Sequence, residues 1–338
     1  MMCDIWKREP GQELSGAEWD AFFKANSFLR WITFSGGEPF LRPDIVDIVA
    51  SAVRHCRHLY YINTPTNSLA PERILNVAEQ LIRLPIPEYV LSVSLDGPPE
   101  VHNRVRGIPT AWDRAMTVLE GARQLQARYP RKFKVIIEHT LLPPSYGRFG
   151  EMLEAVRSRF PAMTAADVMV AGPNVSQHYY GNAAAGGGLQ EERDGEMVAA
   201  LASLVNVRRQ CGHPSLQYLV PQYYLELYGD YIRTRKPPMR CRATRSTIFV
   251  DPGGVVYPCS VWSRKLGNLK DADYSLSRLF GQLDIGALRH DIDRFVCGGC
   301  WTPCEASVSI GENILHPRTF WRLARMATVT GFQRLVRH

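Results

Sequence analysis

The residues best suited to chemistry lie in the last third of the chain. Five of its eight cysteines fall there: Cys241 and Cys259, separated by 17 residues, and Cys297, Cys300 and Cys304 in "CGGCWTPC". A C-x-x-C pair offers two thiolates to one metal from a single turn, and four thiolates complete a tetrahedral zinc site or an iron–sulfur cubane. The run "STIFVDPGGVVYPC" predicts a β-hairpin that turns at Pro252 to Gly254 and presents Cys259 from its return strand. Read alone, this segment slightly favours structural zinc. Of the other cysteines, Cys56 sits on an apolar helical stripe and reads as core, Cys211 carries no assignment, and Cys3 lies in "MMCDIW".

A second group of candidates follows a series of apolar, β-rich runs. "SGGEPF" (35–40) joins two glycines, which let backbone groups approach a ligand closely, to Glu38, a carboxylate able to grip an ammonium group. "NTPTNS" (63–68) is polar and turn-forming, and "SVSLDG" (92–97) puts Ser94 and Asp96 on one side, suited to sugar hydroxyls. "HNRVRG" brings Arg104 or Arg106 towards the same place, and "EHT" (138–140) ends a fourth run. His139 is the one histidine to consider for proton transfer, with a structural role favoured.

These stretches need a scaffold that gathers strand ends. The runs 29–34, 58–63, 89–95, 133–137 and 166–171 read as buried strands, alternating with helical stripes at Ile45–Val53, Ile74–Ile82, Trp112–Leu119 and Phe149–Val156. Repeated strand–helix order implies parallel strands with right-handed crossovers, and ligands then collect at the strand C-termini. The first helix, around 15–26, has no strand ahead of it.

In this order, "CDIW", "SGGEP", "TNS", "SLDG" and "HNRVRG" resemble the core of the radical SAM (S-adenosylmethionine) enzymes over residues 3–171. The resemblance implies an α/β fold: a partial (β/α)6, TIM-like barrel lacking its first strand, followed by a small cysteine-rich α+β domain of twitch or SPASM type. It implies a [4Fe-4S] cluster that reductively cleaves S-adenosylmethionine to a 5′-deoxyadenosyl radical, plus an auxiliary [4Fe-4S] cluster. On it, Cys3 matches the third cysteine of the CxxxCxxC loop. Ser35, Gly36, Gly37, Glu38 and Pro39 match the turn that binds the SAM amino group; Thr66 and Asn67 match a Thr-Asn-Gly turn whose glycine is Ser68 here. Ser94 and Asp96 match ribose contacts, with Arg106 beside them, and Cys241, Cys259, Cys297 and Cys300 match auxiliary ligands, Cys304 being a substitute ligand or a free thiol.

The two cysteines that would precede Cys3 are not in the sequence, so the expectation is a chain that binds at most the tail cluster and does not cleave SAM. The implied partners are a small-molecule or peptide substrate and an electron donor such as a flavodoxin or ferredoxin. The rival reading is a non-catalytic α/β protein with a zinc-binding tail, or an inactive paralogue.

Composition agrees with an ordinary globular chain: 338 residues, 45% apolar and 22% charged, with a net charge of +7 spread along the sequence, which gives no argument for nucleic acid. No apolar run is long enough for a transmembrane span and no signal peptide is legible, so the expected location is cytoplasmic. The expected divisions are a core over 1–190, with a connector at 183–189, a helical connection over 191–240, the cysteine-rich domain over 241–310 and a basic amphipathic helix over 311–338, packed or membrane-facing.

Overall fold

The computed structural model describes residues 3–7, 11–183, 193–211 and 216–335. Of the connector expected at 183–189, all but Ala183 lies outside the described residues. Helix α1 (Gly16–Ala25) starts where the sequence provides a capping box: the Glu18 amide donates to the Ser15 hydroxyl (3.3 Å) and the Ser15 amide donates back to the Glu18 carboxylate (2.8 Å). Beyond it run β1 (Trp31–Thr33), α2 (Ile45–His55), β2 (Tyr61–Thr66), α3 (Pro71–Arg83) and β3 (Glu88–Ser94). Two helices, α4 (Pro99–Arg106) and α5 (Ala111–Arg128), precede β4 (Phe133–Thr140), and α6 (Phe149–Arg159) precedes β5 (Val168–Ala171).

All four strand pairings are parallel and the sheet order is β1-β2-β3-β4-β5, a sheet curled into a half-barrel. Its two faces differ. On β2, Ile62, Thr64 and Thr66 are buried, and on β4 so are Phe133, Val135, Ile137 and His139; the residues between them are only half-buried. The buried set lies under the helices, whose inward stripes are those the sequence shows: Ile45, Ile48, Val49 and Ala52 on α2, and Ile74, Ala78, Leu81 and Ile82 on α3. The half-buried set lines the concave face. There Trp31 and Tyr61 place their rings 4.4 Å apart, the Ser92 hydroxyl donates to the Asn63 amide oxygen (2.8 Å), and Lys134 pairs with Glu88 (2.9 Å).

Helices α7 (Asp194–Cys211) and α8 (Leu216–Thr234) follow, and Cys211 closes the first of them. The fully buried Arg208 of α7 donates to the carbonyls of Ala165 and Val168, tying that helix to the start of β5. The expected hairpin is present: β6 (Phe249–Val250) and β7 (Val255–Tyr257) pair antiparallel, and β8 (Gly267–Asn268) adds a third strand. After them come α9 (Leu276–Gly281), α10 (Ile285–Asp293), α11 (Pro303–Glu312) and α12 (Pro317–Leu335).

One continuous apolar cluster runs from Leu14 to Leu323, so the cysteine-bearing segment shares its core with the half-barrel. The Trp301 indole donates to the Tyr224 carbonyl of α8 (3.1 Å), and the Asn26 side chain bridges the Tyr274 carbonyl and the Leu276 amide. Thr319 and Leu323 of α12 are buried, and Arg322 reaches Glu226 of α8 (3.1 Å), as expected of a packed terminal helix. Among the described residues, no helix is long and apolar enough to cross a membrane.

The seating of α8 against the end of β5 depends on one missing side chain: a Cβ at Gly172 would collide with the hydroxyl of buried Tyr228. Gly172→Ala should therefore lower stability by about 1–3 kcal/mol, read as a reduced urea midpoint. An unchanged midpoint would show that this contact does not position α8.

Candidate functional site

The loops at the strand C-termini form a rim. At the first, Gly36 has φ +141°, and a Cβ at either Gly36 or Gly37 would meet nothing within 4 Å. The glycine at 36 is thus required by the backbone and not by crowding, and the space above the turn is open. The preceding Ser35 hydroxyl lies 2.7 Å from that of Tyr179, in the segment after β5. Buried Pro39 opens a short 3-10 turn capped by Glu38.

Glu38 is engaged within the protein. Its carboxylate accepts from the Thr66 hydroxyl (2.9 Å) and the Asn67 amide (2.8 Å), with a longer contact from the Phe40 amide (3.4 Å). Burial nevertheless raises its pKa above the ordinary carboxylate value, the hydrogen bonds offsetting only part of the desolvation. Glu38 therefore fixes the rim by joining the first loop to the second, and the open backbone of Gly36 and Gly37 is what faces outward. Asn67 caps its own turn by accepting from the Leu69 amide (2.9 Å).

At the third strand the two expected sugar contacts part company. Ser94 is half-buried and beside Glu138 of β4 in the register, on the concave face. Asp96 is fully buried: Arg106 holds one of its oxygens at 2.7 Å, and its backbone amide donates to His102 Nδ1 (3.1 Å). Burial pushes that carboxyl up, but the Arg106 guanidinium, then His102, outweigh it and hold the group well below the usual carboxylate range. Asp96 thus positions Arg106 at the rim and is closed to solvent itself. His139 points to the helix side, fully buried, with Nδ1 2.9 Å from the Leu95 carbonyl, and burial lowers its pKa. These observations favour the structural role.

Cys3 belongs to the same neighbourhood. The Asp4 amide donates to the Tyr180 carbonyl (2.8 Å), the backbone of Asp4 and Ile5 lies about 3.1 Å from where a Cβ of Gly181 would stand, and the Cys3 thiol is close enough to disfavour ionisation of Tyr179.

In the C-terminal segment, Cys241, Cys259, Cys297 and Cys300 line one small cavity of ≈ 20 Å³, walled by apolar groups that include Trp262, Ile292 and Phe295. Cys304 does not line it. Burial, then the nearby Glu305 carboxylate, pushes the Cys241 thiol up to about 11 and that of Cys259 to about 12; burial, then Cys259 and Glu305, raises Cys300 well above the ordinary thiol value. These are protonated thiols at neutral pH, so metal capture would release protons. Among the described residues, no three His, Cys, Asp or Glu side chains converge closely enough to hold a metal ion as they stand. Cys304 is solvent-exposed on α11, and its electrostatic neighbours are Glu138 and Glu305.

The structure therefore brings Ser35, Gly36, Gly37, Glu38, Pro39, Thr66, Asn67, Ser94 and Arg106 to one rim with Cys3 nearby, and four of the five tail cysteines to one cavity. Sequence reasoning gave no role to Glu138, whose place is signalled only by the alternation of "FKVIIEHT", to Tyr179 and Tyr180, or to the buried Glu305. No protein-family model matches the chain, and no curated protein does.

Two outcomes follow from the local geometry. Ser68 adopts φ +65° and its buried hydroxyl has no hydrogen-bond partner among the described residues, so Ser68→Gly should stabilise the chain by about 1 kcal/mol. A lower melting temperature in that variant would contradict this account of the turn. Glu305 is buried, accepts from the Thr247 hydroxyl (2.6 Å), and burial raises its pKa from 4.5 to about 7. The folded state then binds the proton more tightly, so the contribution of this group to stability is fully present below pH 4.5 and is lost as pH rises through about 7, by about 3 kcal/mol. Urea titrations of the metal-free chain should show this slope, and Glu305→Gln should flatten it; an equal slope in the variant would move the effect elsewhere.

Proposed function

We propose that the chain is built as a radical SAM oxidoreductase, with S-adenosylmethionine at the strand-end rim and an auxiliary metal–sulfur centre at the four-cysteine cavity. The observation that supports this reading best is the open double-glycine turn at the rim of a parallel half-barrel, in a chain whose four tail thiols share one cavity. The half-barrel is read as a partial (β/α)6 barrel, and the segment from Cys241 as a twitch-type unit.

On this reading the backbone of Gly36 and Gly37 receives the amino group of S-adenosylmethionine, Arg106, fixed by Asp96, attracts its carboxylate, and Ser94 offers a hydroxyl to the ribose. Glu38 orients the turn by holding Thr66 and Asn67. Four thiols suit an auxiliary cluster, and such a centre, when bound, supplies one-electron transfer. For the cluster that would cleave SAM the residues do not fit: Cys3 is one thiol where three are needed. On this reading the substrate would be a small molecule or a peptide at the concave face, and the electron donor would be a flavodoxin or ferredoxin.

A cavity of ≈ 20 Å³ has room for about one water-sized sphere. That favours a second reading, a single zinc ion in a non-catalytic protein. Anaerobic reconstitution separates the two: the proposal expects about four iron and four sulfide per chain, lost in Cys259→Ser and kept in Cys304→Ser, whereas one zinc without sulfide supports the alternative. Titration calorimetry should show SAM binding that Glu38→Gln weakens by about 1–3 kcal/mol. Equal affinity in the variant would remove Glu38 from the site.

A further inference from the structure

Helix α12 is held by one side. Thr319 and Leu323, one turn apart, are buried, Met326 and Ala327 pack at the margin of the common core, and Arg322 reaches Glu226 of α8. At about 100° per residue, Trp321 stands about 180° around the helix from that seam, between Arg318 and Arg325 in an i, i+3, i+7 row.

The outward side is unusually apolar for a surface. Trp321 is 70% exposed and Leu315, just ahead of the helix, 84%; among the described residues these are the two most exposed large apolar side chains. The Phe320 ring, also exposed, meets that of Trp321 edge to face with centroids 5.7 Å apart. One exposed leucine is ordinary, whereas three large apolar groups in so short a stretch mark a contact surface.

This patch is set in positive charge. Arg318 and Arg325 are exposed and make no ion pair among the described residues. Arg322 shares the Glu226 carboxylate with Arg209 of α7, at 3.1 and 2.7 Å, so two guanidinium groups meet one carboxylate there. Residues 313–338 carry arginines at 318, 322, 325, 334 and 337 and no acidic residue.

From these residues we infer that the outer face of α12 docks on an anionic lipid surface, with Trp321, Phe320 and Leu315 entering the headgroup layer and Arg318, Arg322 and Arg325 meeting the lipid phosphates. Apolar and aromatic tips beside guanidinium groups match the two layers of a membrane interface, and binding then needs both buried apolar area and opposite charge. A nucleic acid would answer the arginines and leave the aliphatic Leu315 without a partner. A second copy seated on the same face would set like charges opposite one another. The inference concerns this face alone and is independent of the proposed chemistry.

Co-sedimentation of the full chain with vesicles tests it, using phosphatidylcholine alone and phosphatidylcholine with about 30% phosphatidylglycerol. Binding to the anionic vesicles should be at least about tenfold tighter and should fall at about 0.5 M salt. Trp321→Ala should weaken it at least about fivefold, and the pair Arg318→Gln with Arg325→Gln at least about tenfold. All three side chains are exposed, so the variants should keep the parent melting temperature. Vesicles with brominated acyl chains should quench tryptophan fluorescence in the unaltered chain and less so in Trp321→Phe, a comparison that needs no destabilising change. Equal binding to both vesicles, no binding to either, or full binding by Trp321→Ala would each overturn the inference. So would a chain that ignores vesicles but binds single-stranded RNA through the same arginines, or one whose self-association is lost in Trp321→Ala.

Discussion

The register of the parallel sheet decides where every polar group of this protein can be. Side chains alternate with a period of two, so a strand displaced by one residue exchanges its faces. In the observed pairing Ile62, Leu91, Val135, Ile137 and Val168 lie beneath the helices, while Asn63, Glu88, Ser92, Lys134 and Glu138 line the concavity. A slip of β4 alone would drive Lys134 and Glu138 under α5 and α6, where an unpaired charge costs several kcal/mol. The polar concavity and the dry core are one constraint seen from two sides.

The rim shows how differently the same chemical group behaves in neighbouring surroundings. Glu38 keeps three contacts from neutral donors, and they do not overcome its burial, so its pKa rises. Asp96 is at least as deeply enclosed, yet a guanidinium 2.7 Å away keeps it ionised. Neutral hydrogen bonds hold a loop, whereas a full opposite charge is needed to hold a buried anion. The consequence is a division of labour: Glu38 shapes the turn and Asp96 aims Arg106.

Much of this was legible in the chain. The five strands, the helical stripes on α2, α3, α5 and α6 and the hairpin before Cys259 follow from periodicity and from turn residues such as Pro252 and Gly254, because burial enforces them locally. What the sequence could not show is how long-range contacts use a residue. Glu38 and Asp96 read as ligand contacts because motif spacing places them at strand ends, but their partners, Thr66 with Asn67 and Arg106, are chosen only when loops meet. Cys304 read as part of the thiol group because it follows Cys300 by four residues; on α11 that spacing carries it out of the cavity. Tyr179 and Tyr180 carry no periodic signal, since they lie in an irregular segment ordered by contacts with Ser35 and Asp4.

The central claim is that loops at the strand C-termini hold a sulfonium nucleotide. Hydrogen exchange followed by mass spectrometry, on the reconstituted full chain with and without S-adenosylmethionine, tests it most directly. The account predicts slowed exchange in peptides covering residues 35–40, 66–69 and 94–107, with the outer faces of α3 and α5 unchanged. Protection confined to other segments, or none at saturating ligand, would contradict it.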